Sequence, residues 1–394
     1  MVDRLHQVEP HHAFFLLKNT LWLPKLLYIR RSTCHRTSCP SLNQMDEFLR
    51  LAVSSLTNVT FNDDSWAQAV LPLRYCSLHL VAALFIPSDK ANPSHGPPPR
   101  RGHRCSQTSG EWSTKHQNLD PPAPPMRSSQ RAWDTSVISQ QYETLLAASD
   151  QLTRARLLAA SSTGSGAWIQ AVPSSSFGMV LDPETLRIGI ALRVGAALCE
   201  PNRCQCGRSV EPMGLHLLSC RYSSGRFPRQ QALNDIVQRA LSSLGVPSTL
   251  EPTGLNRGDG KRPDGMTLFP YKRGKCLVWD ATVTDTFAPS NIIRSAMQAG
   301  NAASEAEDLK RMKYAQLSEA YLFEPLAFET TGVCGESTSL VIKELGSKLR
   351  SSSGDAREVA WLRQRISVAI VRGNAACIRV SAGRFSGADS WMPP

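Results

Sequence analysis

The sequence predicts an α/β protein of the α+β kind: a helical N-terminal part, a short knuckle bearing cysteine and histidine, and a core in the order αβββαβ followed by C-terminal helices. Three observations carry this. Apolar residues recur at helical spacing over Arg229–Leu244 and again from Asn301 to Tyr321. Between those helices lie three short strand-like pieces, Ser248–Glu251, Pro263–Phe269 and Cys276–Val283, and a fourth follows at Leu326–Glu329. The run Cys204-x-Cys206-x9-His216-x3-Cys220 precedes them all.

The chain has 394 residues, room for two or three domains, and an apolar fraction of 41%, enough for at least one core. A net charge of +11 favours a polyanionic partner, because neutralised phosphates release counterions. The first residues, Met1–Asn19, carry Glu9 and several histidines where a secretory leader would have a basic end and an apolar run. The eleven cysteines are too unevenly spaced for a disulfide scaffold, so a reducing compartment is expected. The longest apolar window, Leu78–Ile86, falls short of the ~20 residues a membrane helix needs, and no membrane partner is expected.

Along the chain, residues 1–86 read as a poorly ordered segment. Met1–Leu42 has no sustained period, and Cys34, His35 and Cys39 lack a second ligand pair. Asp46 is placed to cap a helix carrying Phe48, Leu49, Val53 and Leu56. Phe61-Asn62-Asp63-Asp64 has the form of a polymerase metal-binding hairpin tip, but it leads into the helix-like Trp66–Val70 and reads better as an N-cap. Residues 87–130, rich in proline and arginine, read as a disordered basic linker. Residues 131–200 form a helical support region, in which Pro183–Leu198 should turn Leu186, Ile190, Leu192 and Val194 inward and Arg187 and Arg193 outward. The knuckle spans 201–222, the αβββαβ core 223–335, the C-terminal helices 336–380 and a loose tail 381–394.

Zinc takes four tetrahedral thiolate or imidazole ligands, and a close pair followed about ten residues on by a second pair lets a short loop fold around one ion. Gly207 and Gly214 supply the turn freedom, and His216, the only histidine after His116, stands where three cysteines need a fourth partner. A site filled by four protein ligands is structural. The alternatives are Cys199 as a substitute ligand, or a chance cluster of buried cysteines beside a surface histidine.

Within the core, Asp264 at the start of one strand and Asp280 within its hairpin partner can meet on one side of a small sheet. Asp280 lies in the apolar run Leu277–Val283 and needs a partner or a metal. The bland alternatives are a turn at Pro263-Asp264-Gly265 and a solvated face in which Lys310 and Lys313 pair with Glu307.

Pro263-Asp264 followed by a carboxylate on the next strand resembles the PD-(D/E)XK restriction-endonuclease-like fold. Those enzymes normally place a lysine two residues after the second carboxylate, where this chain has Thr282. The knuckle, the Arg262-Pro263-Asp264 signature and Lys310-x-x-Lys313-Tyr314 on the following helix are similar to the endonuclease of site-specific non-LTR retrotransposons, whose lysine is moved to that helix. The likeness covers about Trp133–Ile378, and Trp66–Pro72 more weakly resembles the segment after the thumb of the element's reverse transcriptase. The resemblance implies a metal-dependent DNA endonuclease, nicking target DNA to prime reverse transcription, as a fragment or decayed copy without a polymerase palm. It implies structural Zn2+ on Cys204, Cys206, His216 and Cys220, and nucleic-acid contacts from Arg262 and Tyr314. It also implies DNA and element RNA as partners and a nuclear or cytoplasmic, not secreted, location.

The chemistry agrees with that implication. Phosphodiester hydrolysis needs Mg2+ to polarise an oxygen and activate water, and Asp264 and Asp280, with Glu251 as an extra ligand, are the hard oxygen donors it prefers. Lys310 or Lys313, three apart on one helical face, would orient the water or offset developing charge. The alternative is a zinc-knuckle nucleic-acid-binding module whose nuclease-like fold is inactive.

Overall fold

The computed structural model describes residues 2–22, 40–75, 78, 80, 130–255 and 262–379. The linker of 87–129, the tail from 381 and the Cys34, His35 and Cys39 group lie outside them. The chain divides into two compact units, Met1–Ser149 and Asp150–Pro394, a division that falls within the segment read as helical support.

The first unit is helical in its described residues: α1 (Pro10–Leu16), α2 (Pro40–Thr57), α3 (Asp63–Ala69) and α4 (Gln130–Ala148). Within 1–86, the described residues 2–22 and 40–75 carry the first three of these helices. Phe14, Leu17, Leu49, Val53 and Leu56 are buried in its core. Asp46 does not cap α2, which begins six residues earlier; it is buried within the helix. The tetrapeptide at Phe61 does start a helix. Asn62 is its cap, accepting the Ser65 N–H at 2.8 Å, and Asp63 pairs with Arg50 at 2.9 Å.

The second unit opens with α5 (Gln151–Ser161), α6 (Ala167–Gln170) and α7 (Pro183–Val194). Asp182 caps α7, with Pro183 fixing its first turn and Gly195 at φ 74° closing it. Arg187 and Arg193 are not outward as the helical wheel suggests. Both are buried and donate to carbonyls, Arg187 to Leu198 O at 3.0 Å and Arg193 to Ala160 O at 2.7 Å, while Arg187 also pairs with Glu184 at 3.1 Å. The carbonyls that end neighbouring segments need donors, which a burial pattern based on charge alone cannot foresee.

A two-stranded ribbon follows, β1 (Asn202–Arg203) against β2 (Ser209–Val210), then a 3-10 turn at Leu215–Leu218. The core then runs α8 (Arg226–Ser243), β3 (Ser248–Leu250), β4 (Gly265–Thr267), β5 (Leu277–Thr284), the short α9 (Ile292–Ser295), α10 (Asn301–Lys313) and β6 (Leu322–Glu329). The four strands form one mixed sheet in the order β3-β4-β5-β6, antiparallel at the first two pairings and parallel between β5 and β6. Helix α10 ends at Lys313 rather than Tyr321, and a 3-10 turn at Ala315–Ser318 leads into a strand longer than its apolar run. Helices α11 (Glu336–Ser353) and α12 (Glu358–Arg379) complete the unit.

One core holds these parts together. Leu233, Val237 and Leu241 of α8, Trp279 and Ala281 of β5, Phe328 of β6, Leu345 of α11 and Ile366 of α12 are buried in a single cluster. Trp279 fixes the register: its ring lies where a Cβ on Gly265 would be, and its Nε1 donates to Asn234 Oδ1 at 3.2 Å. Glu307 of α10, the expected surface partner of the lysines, is buried. It accepts the N–H groups of Ser337 and Thr338 at 3.0 and 2.8 Å, capping α11 from another helix.

Candidate functional site

The knuckle is built from tight turns. Cys204 follows β1, its carbonyl accepting the Gly207 N–H at 2.8 Å and its N–H donating to Arg208 O at 2.9 Å, with Gly207 at φ 87°. The Glu211 carboxylate accepts the Leu215 and His216 N–H groups and so holds the 3-10 turn that presents His216. The ligand atoms of Cys204, Cys206, His216 and Cys220 all lie within 4.8 Å of one another. Cys204 Sγ is 3.5 Å from Cys220 Sγ, and Cys206 Sγ is 3.1 Å from His216 Nε2. Tetrahedral zinc with Zn–S of ~2.3 Å sets sulfurs about 3.8 Å apart, so the donor set and its spacing fit such an ion.

Hydrogen bonding, first from the Arg208 N–H, draws the Cys206 thiol down to about 6, whereas burial pushes Cys220 up. Cys199 is not a substitute ligand. Its thiol donates to the Glu211 and Pro212 carbonyls at 3.6 and 3.7 Å and lies outside the four-residue group. Ser219, between two ligands, donates to Asp285 Oδ2 at 2.7 Å, and Asp285 directly follows β5.

The second group sits where β4 meets β5. Asp264 precedes β4; its N–H donates to Trp279 O at 3.0 Å, and its Oδ2 accepts the Ala281 N–H at 2.8 Å. Its carboxylate thus stands in for a ladder carbonyl and brackets Asp280 on β5. Asp280 is 3% exposed, and Lys310 reaches it from α10 with Nζ 2.5 Å from Oδ2. Burial pushes the Asp280 carboxyl above its ordinary range; the Lys310 and Lys313 charges pull it down, and nearby Asp264 pushes it further up. In the described hydrogen bonds each aspartate uses Oδ2 alone.

Around this pair the other residues take different places. Lys313 Nζ donates to Tyr314 OH at 2.7 Å, and Tyr314 OH donates to Arg262 O at 3.0 Å. Tyr314 is fully buried, its ring tilted against Phe323 at 4.9 Å, so it positions Lys313 and the Arg262 backbone and has no face to offer a base. Glu251 N–H donates to Asp264 O at 2.8 Å, but the Glu251 side chain is exposed and paired with Arg262. Glu251 also has φ 47°, which turns it out of the strand conformation.

Gln230 is the residue that sequence reasoning missed. Its Nε2 donates to Asp264 Oδ2 at 3.0 Å from the first part of α8. The available signal was a pair of amides, Gln230 and Asn234, one turn apart on the apolar face of that helix.

No protein-family model matches the chain, and no curated protein matches it. Two local groups therefore carry the functional reading: the cysteine–histidine cluster, which could hold a metal such as zinc, and the two aspartates met by a helical lysine. No helix among the described residues is long and apolar enough to cross a membrane.

Proposed function

We propose that this chain is a metal-dependent DNA endonuclease domain of retrotransposon origin with a PD-(D/E)XK-like core, nicking target DNA in the nucleus to prime reverse transcription. The observation that supports it is the convergence of Asp264 just before β4, the buried Asp280 of β5 and the Lys310 ammonium of α10 at one edge of the β4–β5 pairing. A buried carboxylate beside a second one, both with an oxygen outside the described hydrogen bonds, has the donor chemistry of a hard divalent cation site. Bound there by Asp264 and Asp280, Mg2+ would supply Lewis-acid polarisation of a phosphoryl oxygen.

The chain's own residues do the rest. Gln230 and the Ala281 N–H hold Asp264 in one orientation. Lys310, about one-fifth exposed, can turn from Asp280 towards an attacking water or a phosphate oxygen, and Lys313 adds a second positive charge to the same face. Arg262 stands exposed at the rim and would exchange its Glu251 partner for a backbone phosphate of DNA or of element RNA. The knuckle serves as a structural support carrying Zn2+.

A specific observation favours a second reading, a nucleic-acid-binding module with an inactive nuclease-like fold. The Lys310–Asp280 pair neutralises the carboxylate a cation would need, and Thr282 offers no replacement lysine. Mg2+-dependent nicking of a supercoiled plasmid separates the two. The endonuclease reading expects nicking by the full chain that is lost in Asp264→Ala and Asp280→Asn. Nicking that persists in both would sink the site assignment, and DNA binding without cleavage would establish the second reading.

A further inference from the structure

We propose that the cleft between α8 and α12, on the side of α8 turned away from Asp264, binds a single strand of nucleic acid through its phosphates and one stacked base. The cleft has a volume of about 850 Å3 and is lined by Phe177, Arg229, Asp235, Arg239, Arg365 and Arg372, among others. That is within the ~300–1,000 Å3 of ligand sites. Arg239 lies nine residues after Gln230, which at 3.6 residues per turn places it about half a turn round α8 from the residue that touches Asp264. The cleft is therefore a different surface from the carboxylate site, and the proposal stands whether or not that site cleaves DNA.

The lining is unbalanced in charge, with the exposed Arg239, Arg365 and Arg372 against the Asp235 carboxylate. Arg239 and Arg365 are exposed, and among the described residues neither makes a hydrogen bond or ion pair. Arg365 and Arg372 are two turns apart on one face of α12, about 10.5 Å along the axis. Arg372 donates to Val180 O at 2.7 Å and ties the 174–180 loop to the cleft wall. Arg229 is buried, donating to Asn374 Oδ1 at 2.6 Å and to Leu218 O at 3.2 Å, yet its Nε has no partner among the described residues. Arg239, Arg365 and Arg372 form no ion pair among the described residues, and a set of this kind is stabilised by an incoming polyanion.

The aromatic member points to an unpaired strand. Phe177 is 71% exposed on a turn closed by Gly178 N–H to Ser175 O at 3.0 Å and Met179 N–H to Ser174 O at 2.8 Å. A ring held in water beside exposed arginines is the stacking platform of single-strand binders, and a duplex, whose bases stack on one another, offers it no free face. An acidic peptide could meet the arginines but gives Phe177 nothing to stack on.

The test is fluorescence anisotropy of the full chain with a short labelled single-stranded oligonucleotide, without added Mg2+, over a range of salt concentrations. The double variant R239A/R365A changes two exposed side chains that have no partner among the described residues, so a matching melting curve is expected. Its affinity should fall about tenfold or more at low salt, and its salt slope should flatten by about 1.4, from ~0.7 for each lost phosphate contact. Phe177→Ala should weaken binding about tenfold with the slope unchanged. Unchanged affinity and slope in R239A/R365A would overturn the proposal. So would a duplex or a glutamate-rich peptide that binds the cleft as tightly as the single strand and is indifferent to Phe177→Ala. Because binding is read without cleavage, loss of plasmid nicking alone bears only on the endonuclease reading.

Discussion

The Lys310 ammonium lies 2.5 Å from Oδ2 of Asp280, so a helix delivers the cation that answers a carboxylate sunk in an apolar strand. Burial raises the Asp280 carboxyl and Lys310 opposes that rise. Lys310→Met removes the opposition, so Asp280 should hold its proton to higher pH. Plasmid nicking by the variant should be reduced, and the acid limb of its pH profile should move to higher pH. A folded carboxyl raised above its unfolded value contributes stability in full below the unfolded value and loses it as pH rises through the folded one. The cost of Lys310→Met, about 2 kcal/mol near neutrality, should therefore shrink towards pH 4 in urea titrations, whereas a flat cost would refute the pairing.

Asp280→Asn should cost less stability than Lys310→Met. The lysine it leaves behind is about one-fifth exposed and can turn to water, whereas the aspartate left by the other change cannot. Equal costs in denaturant unfolding would show that solvent reaches both partners alike.

Metal content is the readout for the knuckle. Protein prepared with zinc should hold one ion per chain, and Cys204→Ser or His216→Ala should remove most of it, whereas Cys199→Ser should leave it unchanged. Loss on Cys199→Ser would mean that the ligand set had been misassigned.

Glu307 and Gly335 should couple strongly. A Cβ on Gly335 would overlap the Glu307 carboxylate that caps α11. Gly335→Ala should cost several kcal/mol in the native background but under about 1 kcal/mol once Glu307→Ala has removed the carboxylate, itself a change worth about 3 kcal/mol. Additive effects in the double-mutant cycle would contradict the observed contact.

Gly265→Ala should be among the most damaging single changes in the core. Its methyl would occupy the volume of the fully buried Trp279 ring, and the ring is tied to Asn234. Near-ultraviolet circular dichroism should report the displaced tryptophan, and an unaltered spectrum would count against this packing.

The succession of a helix, three strands, a helix and a strand was legible in the sequence because the elements carry their own periods and turn residues between them, such as Gly245, at φ 69°, just after α8. The knuckle ligands were legible because four donors of the right chemistry fall at loop spacing. What escaped was polarity in unexpected places. Arg187 and Arg193 look solvated on a wheel, yet they serve buried carbonyls that only the packed unit brings near. Glu307 looks like a partner for Lys310, yet it faces the start of a helix thirty residues on. Tyr314 looks like a surface aromatic beside basic residues, yet it is a buried strut. Spacing rules see neighbours along the chain, and all of these depend on neighbours across it.

The Ser219–Asp285 hydrogen bond spans the knuckle and the end of β5 at 2.7 Å. An ion gripped only by the folded knuckle would pull the folding equilibrium by mass action, adding RT ln(1 + [metal]/Kd) to the stability of everything that unfolds with it. Through Ser219 that gain would reach the strand carrying Asp280. Chelation of that ion should therefore lower the stability of the strand together with that of the knuckle.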